Sequence, residues 1–235
     1  MTSIQGLDCE VVQGTQATPR VIVVLCHGYG APGNDLVSLA PELLHRFGSL
    51  TSTVRFVFPA APLSLEQFGG GARAWWHLDL DRMMAAQSTD PADAARLLAH
   101  QPEGLPAVRK QMLGLCAELR GQVPGAKLVL GGFSQGAMLA TDIALRLEEA
   151  PAALAVLSGT LICAEEWARR APIRAGLKVL QSHGRQDTVL GFDGAVALKE
   201  LLERSGLEVD FIPFDGGHTI ALPALEKLGA MLTAL

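Results

Sequence analysis

Ser134 stands in Gly132-Phe133-Ser134-Gln135-Gly136, after the apolar run Lys127–Gly131 and before the helical run Ala137–Ala140. A G-x-S-x-G pentapeptide between a buried strand and a helix puts its serine on a tight strand-to-helix turn. The flanking glycines let the backbone bend and let a substrate approach. The helix N-terminus behind the serine offers unpaired N–H groups and the positive end of a dipole to a developing oxyanion. Ser134 is therefore a candidate nucleophile. The alternative is a glycine-rich turn with an incidental serine.

A serine hydroxyl is a weak nucleophile and needs a base within hydrogen-bond reach. Among the six histidines, His218 lies in Asp215-Gly216-Gly217-His218-Thr219, directly after the last strand-like run and before the last helical one. Active sites of α/β sheets gather at the C-terminal strand ends, so His218 is at the right edge. A base of this kind needs a buried carboxylate to hold its tautomer and stabilise the imidazolium. Asp187, in Ser182-His183-Gly184-Arg185-Gln186-Asp187-Thr188-Val189, follows a strand and gives the chain order Ser…Asp…His. Asp193 and Asp215 are rivals. Asp193 falls in the first turn of the next helix, where a carboxylate simply favours the dipole, and Asp215 is too close in sequence to His218.

A tetrahedral intermediate needs donors aimed at its oxygen. The Gln135 backbone N–H, next after the serine, is one candidate. The other is expected from His27-Gly28-Tyr29-Gly30-Ala31-Pro32-Gly33, a glycine-rich loop after the apolar run at Val21. Tyr29 is the choice there and Gly28 the alternative. The loop lacks both the G-x-x-x-x-G-K-[ST] and the G-x-G-x-x-G phosphate-binding patterns.

The elements that must carry these residues alternate. Strands are expected at Val21–Leu25, Val54–Phe58, Leu128–Leu130, Leu154–Leu157, Leu177–Leu180 and Leu207–Phe214. Helices are expected from an Asn34 cap to Phe47, over Leu105–Leu119, after Ser134, over Phe192–Leu202 and over Thr219–Leu232. Strands separated by helices imply right-handed crossovers and an α/β fold with a mostly parallel central sheet, flanked by helices on both faces. Ser64–Ala74, with Gly69-Gly70-Gly71, is expected to be a flexible loop. Residues 79–106 form a longer excursion, equally a lid or a surface helix pair. No linker divides the chain, so residues 1–235 are expected to form one domain.

The 235 residues are enough for such a domain to form a core without disulfides or metal. Net charge is −5 and no basic block occurs, which argues against nucleic acid. No apolar stretch approaches the ~20 residues that span a bilayer, and the N-terminus lacks a signal-peptide pattern. Cys9, Cys26, Cys116 and Cys163 are scattered without metal-ligand spacing, as in a reduced, cytoplasmic protein.

Four segments carry a family likeness: Leu25-Cys26-His27-Gly28-Tyr29-Gly30, Gly71-Ala72-Arg73-Ala74-Trp75-Trp76, Gly131-Gly132-Phe133-Ser134-Gln135-Gly136-Ala137 and Gly216-Gly217-His218. With Ser158-Gly159 and His183-Gly184…Asp187, the chain from about Val21 onward resembles the acyl-protein thioesterase, carboxylesterase and lysophospholipase group of α/β-hydrolases. The resemblance implies hydrolysis of esters or thioesters through an acyl-serine, with no metal and no cofactor. It implies Ser134 as nucleophile, Asp187 and His218 as its partners, and Tyr29 and Gln135 as backbone oxyanion donors. Its substrates would be a small-molecule ester, a lysophospholipid or an acylated protein, with a homodimer allowed. Trp75 and Trp76 are candidates to line an acyl groove, or one of them is a core aromatic. The sequence departs from the group at Tyr29–Gly33, at His77, where an Asp usually follows the aromatic pair, and in the length of the 79–106 excursion. A peptidase or acyltransferase on the same fold, or a catalytically silent binding module, are the rival classes.

Overall fold

The computed structural model describes residues 2–16, 18–78 and 101–235. Most of the lid-like excursion expected at 79–106 lies outside the described residues. Ten strands are described: β1 (Thr2–Ile4), β2 (Leu7–Gln13), β3 (Val21–Cys26), β4 (Val54–Pro59), β5 (Leu63–Ser64), β6 (Arg73–Ala74), β7 (Lys127–Phe133), β8 (Ala153–Leu157), β9 (Lys178–Gly184) and β10 (Glu208–Phe214). The helices among them are α1 (Leu39–Arg46), α2 (Leu105–Gln122), α3 (Gln135–Ala144), α4 (Ala164–Arg170), α5 (Phe192–Arg204) and α6 (Leu222–Thr233).

Eight strands form one sheet in the order β1-β2-β4-β3-β7-β8-β9-β10. From β4 to β10 all neighbours are parallel, and β1 and β2 add an antiparallel edge. The inner parallel strands β3, β4, β7, β8 and β9 are buried on both faces, which explains their apolar runs, whereas β10 at the sheet edge is half-exposed. In β3, Ile22, Val24 and Cys26 enter one core cluster with α2, α3, α4 and α5. Val21, Val23 and Leu25 enter the other, with α1 and α6. Helices thus cover both faces, as the alternating pattern implies.

Four expectations shift. The N-terminal hairpin β1–β2, absent from the sequence reading, turns through Gln5 and Gly6, both at positive φ (52° and 77°). The helix expected from Asn34 is instead a 3₁₀ turn, Asp35–Ser38, followed by α1, and Asn34 makes no side-chain capping bond. Ser64–Ala74, expected as a flexible loop, closes into the short antiparallel pair β5–β6, with Gly69, Gly70 and Gly71 all at positive φ between its strands. The last helix begins at Leu222 rather than Thr219, with Pro223 in its first turn, a position that suits its fixed φ.

The strand order reverses beside β3: the chain goes from β3 to β4 on one side and later to β7 on the other. The loops after β3 and β7 therefore lead to opposite sides at the C-terminal edge of the sheet, the place where open α/β sheets bind their ligands. Among the described residues no helix is long and apolar enough to cross a membrane.

Candidate active site

Ser134 sits between β7 and α3 at φ 55°, ψ −121°, a left-handed conformation that side chains rarely adopt. Its N–H is tied to the Leu157 carbonyl at the end of β8 (2.9 Å), and its own carbonyl accepts the first helical bonds from Ala137 and Met138 (3.0 and 3.2 Å). The flanking glycines are required by space. A Cβ on Gly136 would lie 2.0 Å from the Cys26 carbonyl oxygen, and one on Gly132 would lie 2.5 Å from the Gly136 carbonyl carbon. The turn is thus wedged against the end of β3, which sets the serine side chain at the C-terminal edge of the sheet.

Three side chains that the sequence singles out meet here. The Ser134 hydroxyl lies 2.8 Å from His218 Nε2, and His218 Nδ1 lies 2.7 Å from Asp187 Oδ2. The carboxylate can only accept, so Nδ1 carries the proton and Nε2 is left to accept from the hydroxyl. Ser134, Asp187 and His218 come from the ends of β7, β9 and β10, with Ser134 84 and Asp187 31 positions before His218 in the chain. The rival acids stand apart: exposed Asp215 faces Arg185 at 3.9 Å, and Asp193 is in the first turn of α5.

Asp187 is held on every side. Its Oδ1 accepts the N–H groups of Val189 (2.9 Å) and Leu190 (2.8 Å). Its Oδ2 also lies 3.3 Å from Nε2 of His183, a buried residue of β9 that donates to the Leu190 carbonyl at 2.7 Å. Burial opposes ionisation of Asp187. The hydrogen bonds from His183, His218 and the Leu190 N–H outweigh it and hold the carboxyl well below the usual carboxylate range. The aspartate is therefore charged wherever the protein is folded at ordinary pH.

The loop bearing His218 has its own anchors. Phe133 packs its ring on the imidazole, centroids 4.8 Å apart. Ser158, at the end of β8 and at φ 49°, donates to the carbonyl of Thr219 at 2.8 Å. Sequence reasoning noted His183 and Ser158 only as parts of matching segments. Their position at the ends of β9 and β8, level with Ser134, is the signal that could have assigned them these supporting contacts.

The two backbone donors named from the sequence flank the serine. Gln135 is the first residue of α3, where an N–H has no intrahelical acceptor. The β3 loop abuts the serine, since a Cβ on Gly28 would lie 3.3 Å from Ser134 Cβ. Among the described residues no backbone acceptor takes the Tyr29 N–H. Trp75 and Trp76 are buried, at 1% and 0% exposure, and join the core cluster. The described residues contain no group of His, Cys, Asp and Glu able to hold a metal ion.

Comparisons with known proteins bear on the family and the fold. Residues 7–235 match the family described as phospholipase/carboxylesterase. An acyl-protein thioesterase 1 from Mycosarcoma maydis is 31% identical over 180 residues, covering 74% of this chain and 72% of that protein. An acyl-protein thioesterase 1 from Neurospora crassa is 24% identical over 217 residues, covering 90% and 85%. Among solved structures, esterase PE8 superposes with a TM-score of 0.78 at 29% identity, covering 97% of this chain and 98% of that one. With the family match running nearly the length of the chain and the sheet of an α/β-hydrolase beneath it, this chain belongs to the phospholipase/carboxylesterase family.

Proposed function

We propose that Ser134, His218 and Asp187 perform the acyl transfer by which this chain, a serine hydrolase of esters and thioesters, acts. The observation that carries the assignment is the unbroken hydrogen-bonded line from the Ser134 hydroxyl through His218 to Asp187. In this reading His218 Nε2 takes the hydroxyl proton as Oγ attacks the acyl carbonyl. The N–H groups of Gln135 and Tyr29 receive the oxyanion, and the protonated imidazole then gives its proton to the leaving alcohol or thiol. Water, deprotonated by the same imidazole, attacks the acyl-serine and releases the acid. No cofactor takes part in any step.

The substrate is a small-molecule ester, a lysophospholipid or an acylated protein. The thioesterase names among the relatives favour an acyl chain joined through sulfur or oxygen. Residues 1–235 act as one domain, a reading supported by a single sheet drawing strands from Thr2 to Phe214. Cytoplasmic residence is supported by four cysteines that all remain buried thiols. Ser134→Ala should lose roughly 10⁴–10⁶ in kcat on any accepted p-nitrophenyl ester, the scale seen on removing such a group. It should also lose labelling by a fluorophosphonate. Hydrolysis near the wild-type rate in that variant would overturn the assignment.

A further inference from the structure

A hydrogen-bonded chain runs beneath the two proposed oxyanion donors, built by side chains to which the reaction gives no part. The Gln135 side chain is fully buried and points away from the chemistry. Its Oε1 accepts the Trp75 backbone N–H at 3.0 Å, and its Nε2 donates to the Trp76 carbonyl at 2.8 Å. The Trp75 indole N–H then donates to the His27 carbonyl at 2.9 Å, and its ring lies against the His27 imidazole, centroids 5.3 Å apart. His27 Nε2 accepts from the Ala61 N–H at 3.0 Å, so the ring proton is on Nδ1, which donates to the Gly28 carbonyl at 2.8 Å. The strand just before Trp75 pairs with the same loop: Gly30 N–H donates to the Arg73 carbonyl (2.9 Å) and Arg73 N–H to the Ala31 carbonyl (3.0 Å).

A trans peptide holds its C=O and N–H in opposite directions. Fixing the Gly28 carbonyl toward the His27 ring turns the Tyr29 N–H the other way, and fixing the His27 carbonyl on Trp75 does the same for the Gly28 N–H. We infer that Trp75, with the Gln135 side chain behind it, is a positioning residue that sets the oxyanion loop after β3 relative to the nucleophile turn after β7. One residue thus serves both halves of the hole: Gln135 gives one donor by its backbone and aims the other through Trp75 and His27. Preorganised donors are effective because they need no rearrangement as charge develops. Slackening the chain lets the β3 loop drift, and a misplacement of about 1 Å can cost roughly 10²-fold in rate.

The inference rests on the oxyanion role proposed above for Tyr29 and Gln135, and its test keeps the two apart. Trp75→Phe removes the indole N–H and keeps most of the ring. Gln135→Met removes both side-chain bonds in a similar volume. Rates are expressed per site titrated with a fluorophosphonate, so loss of folded protein does not count. Each variant should lower kcat on a p-nitrophenyl ester by about 10- to 100-fold with KM within a factor of about two, short of the roughly 10²–10³ for deleting a donor outright. A trifluoromethyl ketone, whose carbonyl adds the Ser134 hydroxyl reversibly to leave an oxyanion, should bind more weakly by the same factor. Unchanged kcat and ketone affinity in whichever variant folds would overturn the positioning role while Ser134→Ala still stands inactive. A raised KM with kcat intact would overturn it too, and make Trp75 a lining of the acyl groove. Full activity in Ser134→Ala would instead remove the reading on which both rest.

Discussion

At the scale of single residues, the assignment of the acid is the sharpest test of the site. Asp187 has its four acceptor directions engaged by His218, His183 and two backbone N–H groups, whereas Asp215 is 87% exposed beside Arg185. Asp187→Asn keeps the shape but offers His218 Nδ1 an amide, which can settle the imidazole in the wrong tautomer. We expect a fall in kcat of roughly 10⁴ for Asp187→Asn. Asp215→Asn should leave kcat near wild type, since an exposed ion pair of that length contributes little. The reverse pattern in a steady-state ester assay would transfer the role to Asp215. Ser134, Asp187 and His218 were legible in the sequence because each is a reactive type at the end of an apolar run. The work of Gln135 and Trp75 was not, because a side-chain amide bonded to backbone atoms 59 and 60 positions away leaves no local pattern.

Elements explain which parts of the fold the sequence disclosed. The parallel strands stood out as apolar runs because helices cover both sides of the sheet. The β1–β2 hairpin did not, because β2 alternates between buried and exposed residues at a sheet edge, where Val11 is 40% exposed. Its one plain signal was Gly6, at φ 77° in the turn. The loop after β3 carries a pH dependence of its own. Burial is the largest influence on His27 and lowers its affinity for a proton below the ordinary imidazole value of 6.5, against the hydrogen bond to Gly28. The unfolded chain therefore binds a proton that the folded loop refuses. Stability from this residue is complete above about pH 6.5 and is lost as pH falls below it, until the folded imidazole itself is protonated. His27→Gln should flatten that part of the curve of melting temperature against pH, taken as the difference from wild type. An identical slope in both proteins would show that His27 carries no such linkage.

For the whole molecule, the core cluster beneath α2, α3, α4 and α5 governs how the cysteines behave, since all four lie in it. All four are buried thiols. Burial pushes Cys9, Cys116 and Cys163 up to about 12 and Cys26 well above its usual value, so little thiolate exists at neutral pH. Native protein at pH 8 should take up less than about one equivalent of iodoacetamide over the time in which denatured protein takes up about four. Rapid uptake by the folded form would mean that the helices over one face of the sheet open far more readily than their packing implies. The sheet order has a consequence for how the enzyme is made. The strands around Ser134, β3, β4, β7 and β8, are all complete by Leu157, but the imidazole waits for β10 at the sheet's far edge, 84 positions after the serine. Since synthesis runs from the N-terminus, the residues of the turn that holds Ser134 are made well before the imidazole proposed as its base. A chain that ends before β10 would hold Ser134 without His218, so the hydrogen-bonded line proposed for acyl transfer is complete only once the last strand of the sheet is in place.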